Sequence, residues 1–133
     1  MLTKKIEYGY IILKRLSKNN DKKLLTGKEI LIDSKVPYNM GLGILTQLVK
    51  NGLIESIKGK KGGFYLKENT KITMLDLFLA LEKEELKSSL NEEYKDQSYK
   101  EITLRIGNVL LRELKKIEII PLSEWHFLKN LIP

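Results

Sequence analysis

The chain has no cysteine. That absence removes disulfides, thiolate zinc sites, cysteine-held iron–sulfur clusters and thiol redox chemistry together. One histidine, His126, is too few for a histidine-based metal site and reads as a partly buried aromatic near the end of the chain. No metal or cofactor site is therefore expected. No run approaches the roughly 18–20 apolar residues of a membrane span. The start, MLTKKIEYGY, lacks the apolar core and small-residue cleavage site of a secretory signal. Together these point to a cytoplasmic protein away from membranes. There is also no nucleophile–base pair and no complete phosphate-binding motif, so no catalytic residue is assigned and an enzyme is not expected. Internal repeats and low-complexity tracts are missing too.

What is present is charge, unevenly placed. The net charge is +7 over 133 residues. Residues 1–83 carry 16 Lys and Arg against 8 Asp and Glu, a balance of +8, and residues 84–133 carry 8 against 9, a balance of −1. A basic head joined to a near-neutral tail suggests polyanion binding by the head and another task for the tail. A merely solvated lysine-rich surface is the plainer alternative.

The order of elements sharpens this. Lys4 to Ser17 places Ile6, Gly9, Tyr10, Leu13 and Leu16 at helical spacing, with Thr3 as N-cap and Asn19-Asn20-Asp21 as the stop. Thr26 and Glu29 form a capping box that opens a short helix from Gly27 to about Asp33. After a turn at Ser34–Pro37, a third helix spans Tyr38 to about Asn51, with Ile44, Leu45 and Leu48 on one face and Gly52 as its stop. Leu53–Ile57 and Phe64–Leu66 read as strands of a hairpin whose tip holds Lys58, Lys60 and Lys61 between glycines. Thr73 and Asp76 start a fourth helix to about Glu82, with Ile72 and Leu77 as a hydrophobic staple. Residues 84–97 are polar, either linker or ragged helix. Ser98 and Glu101 suggest another capping box, opening a long amphipathic helix with the stripe Ile102, Ile106, Val109, Leu110, Leu114 and Ile117. Leu104 and Leu111 fall off that stripe, which suggests more than one covered face. Beyond Pro121, Leu122–Leu131 can form a short last helix carrying Trp125.

Three helices, a hairpin and a further helix spell a winged helix-turn-helix. The expected fold is mainly α with a small β-hairpin: a winged-helix head over 1–83, a connector over 84–97, and a dimerisation segment over 98–133. In such a head the third helix suits the DNA major groove, and wing lysines suit phosphates. A long apolar stripe with no remaining partner favours a symmetric dimer, with packing back onto its own head as the alternative.

Thr3 to Glu82 resembles the Rrf2 family of bacterial winged-helix transcription regulators, the family of IscR and CymR. The matching pieces are KKIEYGY, KEI, LTQLVKNGLIESIKGKKGGFYL and ITMLDLFLALE. IPLSE and the long helix match more loosely. The resemblance implies a homodimer on an inverted-repeat operator in double-stranded DNA. It puts Asn39, Met40, Leu42 and Gly43 toward bases or backbone, with Gln47 a turn further on, and Lys58 in the place of the family's wing arginine. Thr26, Lys28, Tyr38, Lys60 and Lys61 complete the expected DNA-facing set. Cluster-binding members carry three cysteines where this chain reads ELKSSLNEEYKDQSY, so the input signal stays open: a small molecule, a partner protein, or none. Leu42 and Gly43 stand where the family often has Glu-Gln, so base preference should differ.

YNMGLGIL is not a nucleotide loop, since no strand precedes it and the third glycine is missing. Gly41 sits where the family has a core leucine, with Tyr38 or Leu42 as the expected filler, and Gly43 should face outward. The competing function is a winged-helix protein-interaction module without sequence-specific DNA binding.

Overall fold

In the computed structural model, residues 3–19, 24–90 and 95–120 are described, with backbone alone over 84–90. Helix α1 spans Lys4–Ser17. The Thr3 hydroxyl accepts the Ile6 N–H at 3.4 Å, as expected of the N-cap, and donates to a Glu82 carboxylate oxygen at 2.8 Å. Helix α2 is Gly27–Leu31, opened by the full Thr26–Glu29 capping box with both bonds at 3.1 Å. It ends short of the expected Asp33. Ile32 turns extended and Asp33 takes φ 56°, a left-handed conformation that aspartate tolerates.

Helix α3 covers Tyr38–Lys50. Its end is a Schellman motif. The Gly52 N–H donates to the Val49 carbonyl, the Leu53 N–H reaches back to Leu48, and Gly52 sits at φ +78°. The wing follows as β1 (Glu55–Ile57) paired antiparallel with β2 (Gly63–Tyr65). Phe64 also exchanges backbone bonds with Leu25 at 3.1 and 2.7 Å, so the residue just before the α2 cap lies against the wing.

A second two-stranded ladder has no counterpart in the sequence reading. Strand β3 (Ile72–Thr73) pairs antiparallel with β4 (Glu118–Ile120), with a register shift between Ile72 and Thr73. Runs of two and three residues carry no alternation that a sequence pattern could reveal. Lys71 and Glu118 meet at 2.9 Å beside it. Helix α4, Met74–Leu90, starts at the Thr73–Asp76 box as expected. It continues past Glu82, where the backbone leaves helical values (φ −122°, ψ 16°), so residues 84–90 are helical. Helix α5 spans Gln97–Lys116. Its cap is Asp96, whose carboxylate accepts the Tyr99 N–H at 3.0 Å. The Ser98–Glu101 box is thereby corrected: Asp96 is an equally good cap slightly earlier in the chain, and Ser98 lies within the first turn. The expected last helix at 122–131, His126 and part of the first stop lie outside the described residues.

The core draws on α1 to α4, joined by Leu114 from α5 and by Ile119 and Ile120 from β4. Among the described residues every buried side chain is apolar. Two reciprocal seats fix α2 against α3. A Cβ built on Gly41 of α3 would lie 2.6 Å from Leu31 Cδ2 of α2. One built on Gly27 of α2 would lie 2.9 Å from Leu42 Cδ2 of α3. Leu31, not Tyr38 or Leu42, fills the space above Gly41: Tyr38 is 52% exposed, and Leu42 is engaged on Gly27.

This packing predicts that Gly41→Leu overpacks the α2–α3 contact and lowers stability by about 1–3 kcal/mol. Denaturant unfolding checks it. Adding Leu31→Ala should recover part of the loss, and an unchanged midpoint in the single variant contradicts the seat.

Candidate nucleic-acid interface

With Gly41, Ile44, Leu45 and Leu48 buried, the opposite face of α3 is fixed by the 3.6-residue period. It carries Asn39, Gly43, Thr46 and Lys50, all exposed. Met40 is exposed on one flank at 48%, while Gln47 is half-buried. Thr46 and Lys50 were missed by sequence reasoning. Counting forward from Gly43 by three and by seven would have found them once the buried stripe was set.

Leu42 needs a different reading. It is half-buried and packed on Gly27, so most of its surface is committed to the α2 contact. Gly43 faces outward as expected: a Cβ there would meet nothing within 4 Å. The Thr46 hydroxyl donates to the Leu42 carbonyl at 3.0 Å, so its proton is already engaged. Lys28 on α2 is exposed, and so is Thr26, whose hydroxyl serves the cap.

In the wing, Lys58, Lys60 and Lys61 are all exposed at the tip. The turn beneath them is tight. The Gly62 N–H donates to the Gly59 carbonyl at 3.0 Å, and a Cβ on Gly62 would fall 1.9 Å from the Ile57 carbonyl oxygen. The Leu25–Phe64 bridge ties this hairpin to the start of α2, and the two glycine seats tie α2 to α3, so α3 and the wing share one frame. At the wing base, Lys67 pairs with Glu55 at 3.2 Å across an exposed site. Such a pair contributes little to stability, under about 1 kcal/mol.

The long helix splits its expected stripe. Leu114 is buried at 4% and Leu110 packs against the core, so these two are covered within one chain. Leu111 joins them on that inward side. Ile102, Ile106 and Val109 stay exposed, Ile106 at 62%, and with Tyr99 they follow a three-four-three spacing along one edge. That is the spacing of a helix-pairing seam. Ile117, at the C-cap, is exposed as well.

The family model named Rrf2, described as "Iron-dependent Transcriptional regulator", matches residues 2–120. A protein of Aquifex aeolicus (strain VF5) named as an HTH-type transcriptional regulator is 37% identical over 73 residues. That match covers 54% of this chain and half of the relative's length. Among solved structures, T. potens IscR superposes with a TM-score of 0.71 at 18% identity, over 93% of this chain and 86% of that one. CymR (YrzC), the global cysteine regulator of B. subtilis, gives 0.70 at 23%, over 94% and 97%. At these identities the two structures speak to the fold, a winged helix-turn-helix with a long C-terminal helix. The donor set here does not fit a cysteine-held iron centre. The chain has no cysteine, and among the described residues no three His, Cys, Asp or Glu side chains cluster to hold a metal ion. Among those residues, too, no helix is long and apolar enough to cross a membrane.

The open surroundings of Gly43 predict that Gly43→Ala folds and raises stability by about 0.5–1 kcal/mol, through helix propensity alone. Thermal unfolding reads this directly. A lowered midpoint would show that position 43 is not open.

Proposed function

This chain belongs to the Rrf2 family of transcriptional regulators, and from that premise we propose that it binds double-stranded DNA sequence-specifically, as a homodimer on an inverted-repeat operator, in the cytoplasm. One observation carries the reading. The outward ridge of α3 and the lysine tip of the wing are held in one frame by the α2–α3 glycine seats and the Leu25–Phe64 bridge, within a head of net charge +8. A helix in the major groove meets base edges that distinguish all four pairs. The tip lysines neutralise neighbouring phosphates and release counterions.

The division into a head over 1–83, a connector over 84–97 and a dimerisation segment over 98–133 is part of the proposal. So is the seam: Ile102, Ile106 and Val109 pair with the same edge of a second copy, while Leu110 and Leu114 serve the chain's own core. With no cysteine, neither a cysteine-held cluster nor thiol oxidation supplies the input signal. A protein-binding winged helix without base reading would draw on the sparse hydrogen-bonding groups of the α3 ridge. It leaves the basic wing without a task.

Replacing Lys58, Lys60 and Lys61 together by Ala should weaken binding across DNA sequences. It should also flatten the slope of log affinity against log salt by about 0.9 for each phosphate that is no longer neutralised. Titrations at two salt concentrations check this, and an unchanged slope removes the wing from the interface. Ile106→Asp should give a folded monomer by sedimentation and circular dichroism. Retention of the dimer in that variant, or a monomer before mutation, contradicts the seam. Leu110→Asp is a poorer probe, because it also strikes the core.

A further inference from the structure

We infer that the notch above Gly43 seats the 5-methyl group of a thymine in the major groove. This rests on the reading of α3 as the DNA-facing helix and names what that helix recognises. Gly43 is central on the outward ridge, and a Cβ there would meet nothing within 4 Å. The side chains three and four positions away, Asn39 on one side and Thr46 and Gln47 on the other, rise along the helix at roughly 5–6 Å spacing. Between them the floor is bare backbone.

The floor of the notch carries no side chain, and its Thr46 border offers no free hydroxyl proton. The Thr46 hydroxyl gives its proton to the Leu42 carbonyl at 3.0 Å. That proton is therefore unavailable to a base. Leu42, which could have lain across this space, is held on Gly27. The thymine methyl is the one apolar group that the four bases display in the major groove. Asn39, exposed one turn before Gly43, can pair with N6 and N7 of an adenine nearby. The operator half-site is thus expected to be A·T-rich under the first turns of α3, unlike a site read by acidic and amide side chains at positions 42 and 43.

The test uses the full chain and the inverted repeat it enriches from random DNA. Each thymine of the half-site is replaced in turn by deoxyuracil, which lacks only the methyl group. One position should weaken binding by about fourfold per half-site, the effect of one buried methyl. Gly43→Ala, which fills the notch, should bind thymine and uracil duplexes alike at that position while keeping its response elsewhere. If a repeat is enriched but no thymine responds, or Gly43→Ala keeps the wild-type ratio, the notch is overturned and the DNA reading stands. If no sequence is enriched, both fall together.

Discussion

The crossing of α2 and α3 rests on two leucine–glycine seats, Leu31 over Gly41 and Leu42 over Gly27. Gly41, inside α3, weakens that helix by about 1 kcal/mol relative to alanine. Each glycine removes a side chain from the contact, so a leucine from the facing helix can close the gap with dense dispersion contacts. Because the seats are reciprocal, α3 can neither roll about its axis nor slide along α2 without unseating one of them. The rotational setting of α3 decides which residues face outward. The whole candidate interface therefore depends on this one packing arrangement.

Its consequences spread through the chain. With Leu42 held inward, the ridge is left to Asn39, Gly43, Thr46 and Lys50. The capping box that starts α2 is preceded by Leu25, which bonds to Phe64 of the wing, so the same frame positions the lysine tip. The wing leads into β3, and β3 pairs with β4 at the end of α5. The Met74 N–H bonds to the Ile117 carbonyl at 2.8 Å at that junction. The helix proposed to pair two copies is thus anchored beside the segment that follows the wing, and Leu114 is sunk in the head's own core. A dimer built on α5 would present its two heads in a fixed relation rather than on loose tethers.

Features governed by local rules were legible in the sequence. The Thr26–Glu29 and Thr73–Asp76 boxes, the Gly52 stop, the Lys4–Ser17 helix and the buried Ile44, Leu45 and Leu48 all follow from spacing and capping chemistry within a few residues. Features set by tertiary contact were not. Nothing near Gly41 says that Leu31 fills its space. Strands of two and three residues leave no pattern, so β3 and β4 were invisible. The α5 stripe was visible as a whole, but its division into an inward edge with Leu110 and Leu114 and an outward edge with Ile102, Ile106 and Val109 needed the head against which it packs. Asp96 and Ser98 are both competent caps, and sequence alone did not choose between them. In the interface the lysine tip was legible by composition, whereas Thr46 and Lys50 emerged only when the buried face of α3 was known.

The central claim is that a symmetric pair of chains sets two copies of the α3 ridge into successive major grooves. Hydroxyl-radical footprinting of the bound duplex tests this most directly. Two protected patches related by a dyad, separated by about one helical turn or a multiple of it, are the predicted result. A single patch, or weak protection spread evenly along the duplex, would contradict it.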